Sequence, residues 1–210
     1  LKDYPNESVL FNIRGACYAD LGQLDVAVTN YNEAIKIKPD YAKAHFNLGG
    51  SLHELCQLKA AVKSYEKTLE IEPGYAEAHN NLGNVYKELE QNELAVKAFK
   101  SGQGIVVDNE KLEYEFWSKL GETYHELKEF KLSDESFDKA MKINGLDAYL
   151  LNNYSYYLSL RKVKLEKAAE MAKTANDLFP NNASSFNKLK LSLTFASKRI
   201  SNFSVLIFLS

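Results

Sequence analysis

A period of 34 residues runs through the first half of this 210-residue chain and governs how every other feature is read. Asn47-Leu48-Gly49 returns as Asn81-Leu82-Gly83, and Ala44-His45 returns as Ala78-His79. At the same shift Gly15, Gly49 and Gly83 align, as do Ala27, Ala61 and Ala95, Tyr31, Tyr65 and Phe99, and Pro39 and Pro73. Several columns in one register mark stacked supersecondary units rather than one mixed core. Within each unit the apolar residues recur at three and four, which predicts two amphipathic helices joined by a short turn. The predicted class is therefore all-α, an α-solenoid of antiparallel helix pairs. The column Ile37, Ile71, Ile105, Ile143 and Leu178 is apolar in every second helix and is expected to be buried against the following unit.

The glycines at 15, 49, 83 and 121 fall inside first helices, where each costs about 1 kcal/mol relative to alanine. Their recurrence implies a close approach, with Ala27, Ala61 and Ala95 expected opposite. A fourth unit carries Trp117, Leu120, Gly121 and Tyr124, then Phe137 and Ala140, after an insertion at 110–113. The fifth shows Leu151, Tyr154, Ser155 and Leu158, then Ala168, Ala172 and Ala175 after one extra residue near Val163. Gly102-Gln103-Gly104 and the insertion make the junction after unit three the least regular, read as a locally adapted loop rather than a hinge.

The repeat pattern W-x2-L-G-x2-Y, then alanine, an aromatic, alanine and proline over 34 residues, resembles the tetratricopeptide repeat family, and Trp117, Leu120, Gly121 and Tyr124 match its first helix in full. The resemblance implies a right-handed superhelix whose first helices line the inner surface. It divides the chain into the end of a truncated preceding repeat at 1–7 and repeats at 8–41, 42–75, 76–109, 114–147 and 148–182. A capping helix is expected at 183–199, and the apolar tail 200–210 is left unassigned.

The same resemblance places candidate peptide contacts on the inner surface. The sixth residue of each unit reads Ile13, Asn47, Asn81, Lys119 and Asn153, similar to the asparagine ladder of O-linked N-acetylglucosamine transferase-like proteins. An asparagine amide offers both donor and acceptor, so a ladder of them suits a peptide backbone. Asn12 and Asn84 join these candidates, and Glu54, Glu88, Glu122 and Glu126 make the face modestly acidic, partly offset by Lys43, Lys87 and Lys119. A basic or mixed-charge polypeptide is the expected partner. The carboxylate clamp of tetratricopeptide co-chaperones is not matched, because Asn12, Ala16, Asn47, Glu77 and Asn81 stand at its positions and only Asn47 fits.

Chemistry is sparse elsewhere. Lysine plus arginine number 26 against 28 aspartate plus glutamate, a net charge of −2 that does not call for nucleic acid. Cys17 and Cys56 form no CxxC, and His53-Glu54 and His125-Glu126 begin like HExxH but lack the second histidine. His45 and His79 stand where the family often has tryptophan and are read as packing residues. Gly102-x-Gly104 lacks the third glycine of a dinucleotide loop, and no cofactor or metal is expected. The tail Phe203–Leu209 is too short to span a bilayer, no signal region is seen, and the cytoplasm is the default compartment. The expected function is a non-catalytic protein-interaction scaffold, with self-association through exposed ends as a further expectation. The alternative is a substrate-recruiting region of a larger glycosyltransferase-type enzyme, suggested by YAKAHFNLG at 41–49 and YAEAHNNLG at 75–83.

Overall fold

The computed structural model describes residues 7–179, which form helices and, among the described residues, no strand. In chain order these are α1 (Glu7–Asp20), α2 (Leu24–Ile37), α3 (Ala42–Glu54), α4 (Leu58–Ile71), α5 (Ala76–Glu88), α6 (Asn92–Gln103), α7 (Glu110–Glu126), α8 (Phe130–Ile143), α9 (Ala148–Arg161) and α10 (Leu165–Leu178). They divide into two compact units, the first holding α1 to α7 and the second α8 to α10. The expectations for the residues before Glu7, for the capping helix at 183–199 and for the tail at 200–210 lie outside the described residues.

The repeat in sequence becomes a repeat in turn geometry. Gly22, Cys56 and Glu90 occupy equivalent positions after α1, α3 and α5 and all are left-handed, with φ of 71°, 56° and 58°. The N–H groups of Gln23, Gln57 and Gln91 then donate to the carbonyls of Tyr18, Leu52 and Tyr86, each at 2.8 Å. This is a Schellman closure, which satisfies carbonyls that the helix end leaves open and reverses the chain within three residues. The carbonyls of the same glutamines accept from the N–H groups of Ala27, Ala61 and Ala95 at 3.0 Å, starting the second helix at once.

Each first helix of units two and three is fastened at its start by histidine. His45 Nε2 donates to the Pro39 carbonyl at 2.9 Å, and His79 Nε2 donates to the Pro73 carbonyl at 3.1 Å. Both histidines are thus structural, as their repeat position suggested. Burial lowers the pKa of His79, and the bond to Pro73 opposes that shift.

In the first unit Ala27, Tyr31, Ala61, Tyr65, Ala95 and Phe99 are buried. The glycine column does pack closely, but against rings rather than alanines. A Cβ on Gly15 would stand 2.6 Å from the Tyr31 ring, on Gly49 2.8 Å from the Tyr65 ring, and on Gly83 2.4 Å from the Phe99 ring. The ring reaches back from the second helix onto the first, and only hydrogen fits beneath it. The isoleucine column is the clearer departure: Ile37, Ile105 and Leu178 are exposed and Ile71 and Ile143 only half-buried. Ile37, Ile71, Ile143 and Leu178 are the last residues of their helices and Ile105 follows the end of α6, and burial falls instead on the column one turn earlier at Ala34, Thr68 and Ala140.

The four residues 110–113 form the first turn of α7, not a loop. Asn109 caps it, its Oδ1 accepting from the Leu112 N–H at 3.0 Å, and Leu112 joins Phe116 and Phe99 in a buried cluster. Gly102 belongs to the same packing, since a Cβ there would lie 2.2 Å from the Phe116 ring.

In the second unit Phe137 stacks on Tyr154 with ring centroids 4.8 Å apart. Asp134 takes Arg161 and, at 3.3 Å, Lys164, while Lys167 reaches Asp138 at 2.8 Å. Burial, with Asp134 and Asp138 adding to it, pushes the Tyr154 phenol up. The extra residue near Val163 is absorbed by two left-handed residues, Lys162 (φ 57°) and Lys164 (φ 47°).

Candidate functional site

Within the first unit α1 packs on α3, α3 on α5 and α5 on α7, in addition to the contacts of α1, α3 and α5 with α2, α4 and α6 and of α3, α5 and α7 with the second helix before each. The first helices therefore share one continuous face. Four polar pairs link neighbouring first helices, each with partners 35 residues apart: one repeat plus one position from α1 to α3 and from α3 to α5, but three positions short of the step that carries Gly83 to Gly121 from α5 to α7. Asn47 Nδ2 donates to Asn12 Oδ1 at 3.0 Å, and His53 Nε2 lies 2.7 Å from Glu88 Oε1. Asn80 Nδ2 donates to Glu115 Oε2 at 3.1 Å, and Lys87 Nζ donates to Glu122 Oε2 at 3.0 Å.

Four of these links fall between successive first helices, and they change the meaning of the predicted site residues. Asn12 is buried and supports Asn47, which is half-buried. Asn81 is half-buried and its amide is engaged with the hydroxyl of Tyr65, a phenol that burial pushes up to about 12 against the opposing effect of that bond. Glu122 is 5% exposed and holds Lys87, with Lys119 further off at 3.8 Å. Lys87 also lies 3.4 Å from Glu126. Burial alone would lower the Lys87 pKa, but the two carboxylates outweigh it and hold the ammonium above its ordinary value.

The acidic character is thus less than the sequence suggests, because Glu115 and Glu122 are occupied by neighbours. Glu54, Glu88 and Glu126 remain exposed, and with Asp20 they end α3, α5, α7 and α1. The Lys43 ammonium donates to the Tyr75 hydroxyl at 3.1 Å and lies 5.1 Å from the Phe46 ring centroid. Asn84 is half-buried on α5, three residues beyond Asn81. Asn153 lies in the second unit on α9, half-buried and already engaged. The lateral pairs were missed in the sequence, although complementary residues at a spacing of 35 were there to be found.

Among the described residues no group of histidine, cysteine and carboxylates is arranged to hold a metal ion. Cys17 and Cys56 are both exposed and unpaired. Among the same residues no helix is long and apolar enough to cross a membrane.

The family model described as TPR repeat matches residues 15–55 and 51–90, and that described as Tetratricopeptide repeat matches 76–105 and 114–145. The chain belongs to the tetratricopeptide repeat family. No sequence of a curated protein matches it. Among solved structures, tetratricopeptide folds superpose over most of its length. MamA from Desulfovibrio magneticus RS-1 matches with TM-score 0.75 at 17% identity, covering 84% of this chain and 97% of that one. YrrB, described as a TPR protein with an unusual peptide-binding site, matches with TM-score 0.71 at 19% identity, covering 89% and 94%. PilF of Pseudomonas aeruginosa matches with TM-score 0.73 at 21% identity, covering 93% and 87%. At these identities the likeness establishes the tetratricopeptide fold.

Proposed function

We propose that this tetratricopeptide chain is a non-catalytic scaffold that holds a partner polypeptide on the face shared by α1, α3, α5 and α7. The observation that carries the reading is the continuity of that face together with the half-buried polar side chains Asn47, Asn81, Asn84 and Lys119 along it. Half-buried amides on a helical surface retain bonding capacity while holding fixed positions, which favours recognition without a large ordering cost. Asn12 and Glu122 serve as supports for Asn47 and Lys87, and Glu54, Glu88 and Glu126 supply exposed charge. The partner is a basic or mixed-charge segment, drawn in by complementarity that acts mainly on the association rate. The peptide-binding description of YrrB supports the same reading. Asn153, on the second unit, is proposed as a separate contact.

The test is binding of labelled Lys/Arg-rich and Asp/Glu-rich peptides to the wild-type chain and to Glu54→Lys/Glu88→Lys/Glu126→Lys. Preference for the basic peptide, weakened by salt and reversed in the variant, supports the reading; indifference to all three changes ends the charge preference.

One observation favours a second reading, self-association through α1. Leu10 is 64% exposed, whereas its repeat equivalents Ala44 and Ala78 are fully buried, and Leu21 is exposed at 69%. Light scattering across concentration, with Leu10→Lys/Leu21→Lys as the control, decides it: a concentration-independent mass sets self-association aside.

A further inference from the structure

Helix α9 differs from the other first helices in the side chains it turns outward. From Ala148 to Leu160 it carries no charged residue. One side of it belongs to the core of the second unit, where Leu150, Leu151, Tyr154, Ser155 and Leu158 are buried. The opposite side is a stripe of Tyr149, Asn153, Tyr156 and Leu160; Tyr149 is 60% and Leu160 49% exposed, and Tyr156 is half-buried. At the repeat position of Leu160 the earlier units have Asp20, Glu54, Glu88 and Glu126, and at that of Tyr149 units two to four have Lys43, Glu77 and Glu115. A helix without charge on any side is ordinarily covered on every side. The described residues cover only one side of α9.

A second uncharged element stands in the same chain, beyond the described residues. Phe203–Leu209 contains no charge, proline or glycine, and its residues are apolar apart from Ser204. A segment of that composition aggregates when left open to water, so it needs cover as much as the stripe does. Reach and size agree. The short link at 162–164 turns α10 back along α9, so α10 ends beside the Tyr149 end of the stripe. Residues 180 to 202 span up to about 75 Å, and Phe203–Leu209 drawn out covers about 23 Å. The stripe lies on a helix about 21 Å long. Charge selects the same face, because the carboxylates at the equivalent positions of the earlier units would lose water beneath an apolar segment, and α9 has none there.

We propose that Phe203–Leu209 docks on the stripe of its own chain, over Tyr149, Tyr156 and Leu160, as an internal cover of the second unit. Tethering holds the tail at an effective concentration far above that of a separate copy in dilute solution. Asn153 lies within the stripe, so a partner that reaches it has first to displace the tail. This assignment stands apart from the peptide-scaffold reading of the first unit.

The experiment uses the full chain with Cys17→Ser/Cys56→Ser as background, Val205→Cys in the tail, and one further cysteine on a helix. Tyr156→Cys and Leu160→Cys lie in the stripe, and Glu170→Cys, at an exposed position of α10, is the reference. Disulfide formation is followed in dilute protein under a glutathione buffer, by intact mass and gel mobility. The Val205/Tyr156 and Val205/Leu160 pairs are expected to close within one chain about tenfold faster than Val205/Glu170. Salt should leave the rate unchanged, since neither surface is charged. Leu206→Asp/Phe208→Asp should bring both stripe pairs down to the reference rate. Equal rates for all three pairs overturn the proposal. Closure between chains instead of within one gives the stripe to a second copy and overturns it as well. So does a rate that falls with salt, which would place the docking in Lys198 and Arg199. Each of these failures leaves peptide binding by the first unit, which has its own charge variants, standing.

Discussion

Gly83 lies directly beneath the ring of Phe99, so close that a Cβ on the glycine would stand 2.4 Å from a ring carbon. Phe99 is fully buried and cannot retreat without opening the cluster it shares with Ala95, Leu112 and Phe116. Gly83→Ala is therefore expected to destabilise the chain by about 1 to 3 kcal/mol, although alanine is the better helix former. Urea denaturation measures it, and an unchanged midpoint would refute the packing argument.

The left-handed turn column offers the opposite sign. Glu90 has φ of 58° and Cys56 φ of 56°, at the position where Gly22 has φ of 71°. A side chain is disfavoured there by roughly 1 to 2 kcal/mol, and glycine is not. Glu90→Gly should stabilise by about 0.5 to 1 kcal/mol after the entropy that glycine returns to the unfolded chain, and Gly22→Ala should destabilise. A fall in melting temperature for Glu90→Gly would show that Glu90 contributes through its side chain.

The architecture was legible in the sequence because periodicity is additive: Gly15, Gly49 and Gly83 each carry weak information, and their shared register carries much. What packs on those glycines was not legible, because the ring of Tyr31 or Phe99 reaches over from another helix and sequence spacing does not encode that direction. The turn formed by 110–113 had its signal in Asn109, a good N-cap, followed by Glu110 and Glu113 in the first turn, but the register of repeats made these residues look like a surplus. For the candidate site, the equivalent places of Asn47 and Asn81 on the first helices α3 and α5 followed from the repeat. Their engagement with Asn12 and Tyr65 did not, since it depends on how far one helix is offset along the next.

His79 confers a pH dependence of known sign. Burial holds its pKa below the ordinary value, the Pro73 bond opposing, so the folded chain binds fewer protons at this site than the unfolded chain does. Its contribution is complete above about pH 6.5 and is lost as the pH falls below that value toward the folded pKa. Denaturation midpoints at pH 7.5 and 5.5 should differ more for the wild type than for His79→Gln, whose amide can still donate to the proline carbonyl. Equal differences would place the acid sensitivity elsewhere.

Lys87 and Glu122 form the most enclosed ion pair on the shared face, 3.0 Å apart, with side-chain exposures of 17% and 6%. Removing one partner leaves the other charge out of water with a poorer substitute, because Lys119 stands 3.8 Å from Glu122. Lys87→Met should cost about 3 kcal/mol, while Lys87→Met/Glu122→Met should recover most of that loss, since two apolar side chains leave no stranded charge there. The pair also sets a basic limit. The Lys87 pKa is raised above its unfolded value, so this contribution is full below about pH 10.4 and disappears as pH rises through the folded value. Denaturation in urea at pH 7 and at stepped alkaline pH checks both statements: the single variant should show a smaller alkaline decline than the wild type, the raised phenols of Tyr65 and Tyr154 keeping the remainder, and a single variant as stable as the double would mean that Glu122 finds its compensation elsewhere.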